Sequence, residues 1–134
     1  MPEPDMPKLE DPIEIYRRSL ADLPPPVEAH PPVIQRAEVW PYPELTRLWV
    51  RVEISPFAAF PNLALRVIGP DETVAATMFM VEIRDAYQSV TLHLRQPPRP
   101  GEKYALEIEL ARDEVELEAR RLEFALVFRD PQAT

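Results

Sequence analysis

The sequence predicts an all-β sandwich of seven antiparallel strands, and three observations carry that prediction. From position 33 onward apolar residues recur with a period of two, as in strands that face a core on one side and water on the other. Turn-forming residues break the pattern about every ten positions, the spacing of a sandwich. The 134-residue chain leaves enough length after its first 32 residues for one such domain.

The first candidate strand, 33–40, stops at Pro41-Tyr42-Pro43, where the prolines remove ladder donors. In 45–54, Leu48, Val50, Val52 and Ile54 point one way and Arg47, Trp49, Arg51 and Glu53 the other, and Pro56 closes the run. Segment 62–68 turns Leu63, Leu65 and Val67 inward. Gly69-Pro70-Asp71-Glu72 then has the chemistry of a turn into 73–83. Segment 87–95 offers Val90, Leu92 and Leu94 to the core, with Thr91, His93 and Arg95 outside. Segment 104–110 places Tyr104, Leu106, Ile108 and Leu110 inside, with Glu107 and Glu109 outside. The last segment, 114–129, changes parity: Val115, Leu117 and Ala119 are odd, whereas Leu122, Phe124, Leu126 and Phe128 are even. One residue is therefore extra, which predicts a bulge at Arg120-Arg121 or a kink between sheets. An unbroken strand would expose large side chains worth about 1.5–3 kcal/mol each when buried.

Residues 1–32 form a proline-rich arm that cannot build a core of its own, since half of the chain's 18 prolines fall there and apolar side chains are sparse. One part differs. Asp11 and Pro12 supply a cap and a first-turn proline, Ile13, Tyr16, Leu20 and Leu23 lie on one helical face, and Pro24-Pro25-Pro26 ends the run. A short amphipathic helix over about 12–23 is expected, too short to persist alone in water. It needs a surface to dock on.

Net charge is -8 and the sequence pI about 4.8, with no clustered Lys and Arg, which argues against nucleic acid as a partner. With no cysteine, disulfides, thiolate nucleophiles and Cys-ligated metals are excluded. The first eight residues lack the basic start and apolar stretch of an export signal, and no apolar run approaches the roughly 18 residues of a membrane span. A cytoplasmic protein with no membrane partner is expected.

The Pro100-Gly101-Glu102-Lys103-Tyr104 stretch leading into an alternating strand resembles the turn and tyrosine corner of fibronectin type III and immunoglobulin-like sandwiches. The likeness extends along 33–134 in strand number and spacing, and in identity only over these few residues. It implies that the Tyr104 hydroxyl bonds a backbone group just upstream. It implies nothing about function.

Segment 73–83 is apolar on both parities, with Val74, Met78 and Met80 on one side and Phe79, Val81 and Ile83 on the other. The second row would form an adhesive patch if wet, so something should cover it: the arm helix, a second copy, or another protein. Trp40, Tyr42, Trp49, Phe57 and Phe60 are interleaved with Pro41, Pro43, Pro56 and Pro61. Rings on a rigid frame can stack on a sugar or hold a proline-rich peptide, or simply pack the end of the sandwich. Asn62 is the only asparagine, a poor supply of amides for a sugar site. Glu107, Glu109, Glu114, Glu116, Glu118 and Glu123 lie along the last two strands rather than on a tight loop, so no metal is expected. A register opposing Glu107 to Arg120 would pair charges across them.

His30 and His93 stand apart, Ser19, Ser55 and Ser89 sit in no nucleophile motif, and the two glycines make no phosphate loop. No catalytic residue and no cofactor is expected. The sequence points to a non-catalytic protein–protein interaction or assembly module, with a homodimer as one form of it. It would act through Ile13, Tyr16, Leu20, Leu23, Phe79, Val81 and Ile83. A small-ligand or peptide-binding sandwich using the aromatic set is the alternative.

Overall fold

The computed structural model describes Ile13 and residues 30–132. The helix expected over 12–23 falls outside the described residues apart from Ile13, which is 58% exposed. No helix among the described residues is long and apolar enough to cross a membrane.

Seven strands follow in order: β1 (Ile34–Pro41), β2 (Arg47–Ile54), β3 (Asn62–Ile68), β4 (Val74–Met80), β5 (Tyr87–His93), β6 (Lys103–Arg112) and β7 (Val115–Ala125). They form two antiparallel sheets, β1-β2-β5 and β4-β3-β6-β7. An immunoglobulin constant domain groups its fourth strand with the first, second and fifth. Here β4 pairs with β3 instead, held there by a tight hairpin in which Gly69 N–H donates to Thr73 O at 2.7 Å and Glu72 N–H to Gly69 O at 3.0 Å.

The period-two pattern builds the core directly. Leu48, Val50, Val52 and Ile54 of β2 face Leu63, Leu65 and Val67 of β3 and Leu106, Ile108 and Leu110 of β6 across the sandwich, all buried. Tyr104 belongs to this set and stacks on its strand partner Phe124 at 6.0 Å. Its hydroxyl accepts the Arg99 N–H at 3.0 Å, five residues upstream. Tyr104→Phe is expected to lower stability by about 1–2 kcal/mol, because a part-buried N–H loses its acceptor. An unchanged denaturant midpoint would show that water replaces the hydroxyl there.

Two strands depart from the alternation read from sequence, each for a backbone reason. β4 ends at Met80 rather than at position 83: Glu82 takes a positive φ of 50°, its N–H donates to Asn62 Oδ1 at 2.8 Å, and Ile83 N–H donates to Pro61 O at 2.9 Å. The chain leaves the sheet there and crosses to β5. In β7 the register slips between Leu110 and Ala111, whose partners are Glu118 and Glu116, so the extra residue is Leu117 and not one at Arg120-Arg121. Glu107 therefore opposes Arg121, while Arg120 opposes Ile108.

The β6–β7 hairpin turns on Asp113 and Glu114, both at positive φ (53° and 64°), where glycine and asparagine are favoured. Replacing the pair by Asn-Gly is expected to raise stability by about 1 kcal/mol, since two side chains are held left-handed in the native turn. Thermal melting of the double variant checks it.

Candidate functional site

The outer face of the four-stranded sheet carries a shallow groove of about 570 Å³. The register places two rows of side chains across it. Phe79 of β4, Ala64 of β3, Glu109 of β6 and Ala119 of β7 form one, and Thr77, Arg66, Glu107 and Arg121 form the next. Small side chains on the central and far strands make the floor, and Phe79, 64% exposed, makes one wall. Val81, 62% exposed, follows the end of β4 and is not one of the residues lining the groove.

Charge divides the groove. Glu107 is met by Arg66 Nε at 3.2 Å and Arg121 Nη1 at 3.0 Å, so the row beside Thr77 sets two guanidiniums on one carboxylate and is left positive. Glu109 and Glu116, on the Phe79 half, make no ion pair among the described residues. Glu109 stands between Ala64 and Ala119 in the Phe79 row, so that row carries a carboxylate in its middle.

Ile83 does not join Phe79 and Val81. It is 6% exposed and belongs to the core, because the positive φ at Glu82 reverses the side-chain alternation beyond β4. The surface row expected from sequence therefore shrinks to Phe79 and Val81. Of the arm residues assigned to the same contact, Tyr16, Leu20 and Leu23 lie outside the described residues, and Ile13 is exposed.

The five aromatics read as one cluster fall into two groups, since most of β2 lies between them, roughly 17 Å from Trp49 to Ile54 at about 3.3 Å per residue. Phe57 and Phe60 meet edge to face at 6.3 Å in the β2–β3 loop. Trp40, Tyr42 and Trp49 lie at the other end, on the outer face of the three-stranded sheet, and each ring carries a guanidinium. Arg47 sits 4.2 Å from the Tyr42 ring, Arg51 4.9 Å from Trp49 and Arg129 5.0 Å from Trp40. The indole N–H of Trp49 donates to Ser89 Oγ at 2.7 Å and that of Trp40 to Glu38 Oε2 at 3.2 Å. Ring faces and polar edges are thus engaged within the chain, which leaves little for a stacked ligand. The Trp40 N–H is the first cause holding the Glu38 carboxyl below its ordinary value of 4.5, with Arg36 and Arg51 adding to it. A depressed carboxyl contributes stability above that value and loses it as pH falls through the depressed one.

On its inner side, β7 carries a charged pair absent from the sequence reading. The carboxylate of Glu118 accepts the Ile34 N–H, Arg120 donates to the Ile34 carbonyl, and the two side chains pair at 3.1 Å. Ser55, buried, adds a reciprocal bond to Val33, accepting its N–H at Oγ at 2.8 Å and donating its own N–H to Val33 O at 2.9 Å. The start of β1 is therefore fastened to both sheets, beside the rim where Ala119, Arg120 and Arg121 line the groove. The signal was present: Glu118 and Arg120 share the even parity of Leu122 and Phe124.

Among the described residues no group of three or more His, Asp or Glu gathers in a way that could hold a metal ion.

No protein-family model matches the chain, and no curated protein matches it. Solved structures do match, at the level of the sandwich. The β-glucuronidase of Parabacteroides merdae superposes with a TM-score of 0.54 at 10% identity, covering 70% of this chain and 13% of the enzyme. That of Ruminococcus gnavus gives 0.53 at 13% identity over 71% and 16%. That of Dictyoglomus thermophilum gives 0.50 at 18% identity over 69% and 15%. The class shown is an all-β sandwich, consistent with an immunoglobulin-like architecture. The chain spans only a small part of these enzymes' length, and at such identity the likeness shows the fold alone.

Proposed function

We propose that the protein is a non-catalytic interaction module whose binding surface is the outer face of the β4-β3-β6-β7 sheet. One observation carries the reading: Phe79 and Val81 stand more than half exposed beside a groove floored by Ala64 and Ala119. A sheet face of a monomer is normally polar on its outer side, and a large aromatic next to a concave small-residue floor is the form of a hot-spot pocket. The small sandwich supplies a rigid platform, and the sequence supplies no competing chemistry.

The test is the full chain against its Phe79→Asp/Val81→Asp form. The double variant should melt within about 1 kcal/mol of the parent, because both side chains are exposed, yet lose at least tenfold in association with itself or with a captured protein. Association that survives the two substitutions places the binding surface elsewhere. A parent chain that associates with nothing at micromolar concentration removes the reading.

A further inference from the structure

We propose that the binding surface takes a cationic amphipathic segment of another protein, seated at the end of the four-stranded sheet where β4 and β6 stop and β7 starts; this rests on the reading of the outer face of that sheet as the binding surface. Three observations select that occupant.

The first is apolar surface gathered at one end. Val81 follows β4 and is 62% exposed, and Val115 opens β7 and is 60% exposed. The β2–β3 loop lies against this end on both sides. Pro61 O accepts the Ile83 N–H at 2.9 Å, Arg84 sits 4.8 Å from the Phe60 ring, and Arg112, the strand partner of Val115, donates to Ala59 O at 3.3 Å. Phe60 is itself exposed, and Phe79 carries the apolar surface onto the outer face. Since β4 and β7 are the two edges of the sheet, Val81 and Val115 lie about 15 Å apart across four strands, close to the rise of three helical turns.

The second is charge. From position 33 onward the chain has 12 basic and 16 acidic residues, and the whole excess sits here. Segments 79–85 and 109–116 hold Glu82, Asp85, Glu109, Asp113, Glu114 and Glu116 against Arg84 and Arg112, which leaves ten of each sign in the rest of the sandwich. In that remainder seven of the ten acids are met by a guanidinium or an ammonium. Among the described residues none of the six acids at this end is in an ion pair. Unpaired carboxylates around exposed apolar side chains attract an apolar partner that carries cations and repel one that carries acids.

The third is what the chain itself has to offer. Residues 1–32 carry three basic and seven acidic residues, and the remainder of the sandwich is balanced, with most of its arginines engaged by its own carboxylates. A second copy meeting this end with its own would set six unpaired acids against six. Neither arm nor twin supplies the missing positive charge. A separate helix of Lys or Arg interleaved with Leu, Ile or Phe does, laid across the sheet end with its apolar stripe toward Val81 and Val115.

Fluorescence anisotropy of the full chain tests this with a labelled amphipathic peptide of leucine and lysine, about four helical turns long, and the same peptide with glutamate in place of lysine. The lysine peptide should bind at least tenfold more tightly. Asp85→Lys/Glu109→Lys/Glu116→Lys should reverse the preference, whereas Glu44→Lys/Glu123→Lys/Asp130→Lys, which changes the net charge equally away from this end, should keep it. Val81→Ser/Val115→Ser should weaken the lysine peptide at least fivefold. Equal effects of the two triple variants, indifference to the valine changes, or binding of neither peptide at micromolar concentration each overturns the proposal. Association that Phe79→Asp/Val81→Asp abolishes, with no preference for the lysine peptide, overturns the cationic partner and leaves the binding face in place. Tighter peptide binding in Arg17→Glu/Arg18→Glu assigns this end to the chain's own arm. A sedimentation mass of twice 15.5 kDa that Val81→Ser/Val115→Ser halves assigns it to a second copy, and either result overturns the proposal.

Discussion

Ile83→Asp is expected to unfold the protein, whereas Phe79→Asp, four residues earlier on what the sequence presents as the same face, is expected to leave it folded. Ile83 is 6% exposed and packs in the core; a carboxylate placed there has no partner and no water. Burying such a group costs several kcal/mol, of the order of 3–5, which is as large as the lower end of the 5–15 kcal/mol that a domain has in total. Ile83→Ala should be milder, at about 2–4 kcal/mol for the cavity it leaves. Phe79 is 64% exposed, and an aspartate there meets solvent. Far-ultraviolet circular dichroism and a denaturant titration of the two aspartate variants decide it. Equal stability of the two would mean that the reversal at Glu82 does not hold in solution.

Arg120→Ala is expected to destabilise by about 2 kcal/mol, large for a residue on an edge strand. The guanidinium does two things at once: it donates to the Ile34 carbonyl and neutralises Glu118, which itself accepts the Ile34 N–H. Surface ion pairs contribute little, but a charged group bonded to a part-buried backbone amide contributes about 1.5–3 kcal/mol. For a sandwich of this size the loss corresponds to roughly 8–16 °C in melting temperature. Glu118→Ala should cost a similar amount, and the double variant distinctly less than the sum, because each single change strands the other charge. Hydrogen exchange gives the local readout: the Ile34 amide should lose protection in Glu118→Ala. Additive losses with Ile34 still protected would assign the effect to side-chain packing instead.

The contrast between the two ends of β4 shows why part of this molecule is legible from sequence and part is not. Alternation placed Leu48, Val50, Leu65 and Ile108 correctly because a strand's side-chain period is fixed by its backbone, and so long as the backbone stays extended parity propagates. It failed at Ile83 because a single residue, Glu82, adopts a left-handed conformation that glycine usually signals. It failed again in β7, where parity showed that one residue was surplus but not which one. Any position between Val115 and Leu122 satisfies the count, and only the pairing with Leu110 and Ala111 selects Leu117. The aromatic set misled for another reason. Nearness in sequence was read as nearness in space, yet a strand carries its two ends apart. On the candidate surface, Phe79 and Val81 were visible as apolar residues on the wrong parity for a core. Their groove was not, since its floor is made of alanines from β3 and β7 that only the register brings level.

The fastening of Val33 and Ile34 bears on mechanics as well as stability. A pull applied to the leading arm does not peel β1 away one hydrogen bond at a time. The load passes at once into the end of β2 through Ser55 and into β7 through Glu118 and Arg120, so both layers resist together. A load on the chain ahead of Val33 is thereby coupled to the whole sandwich, and would be felt at the opposite sheet before the first strand gave way.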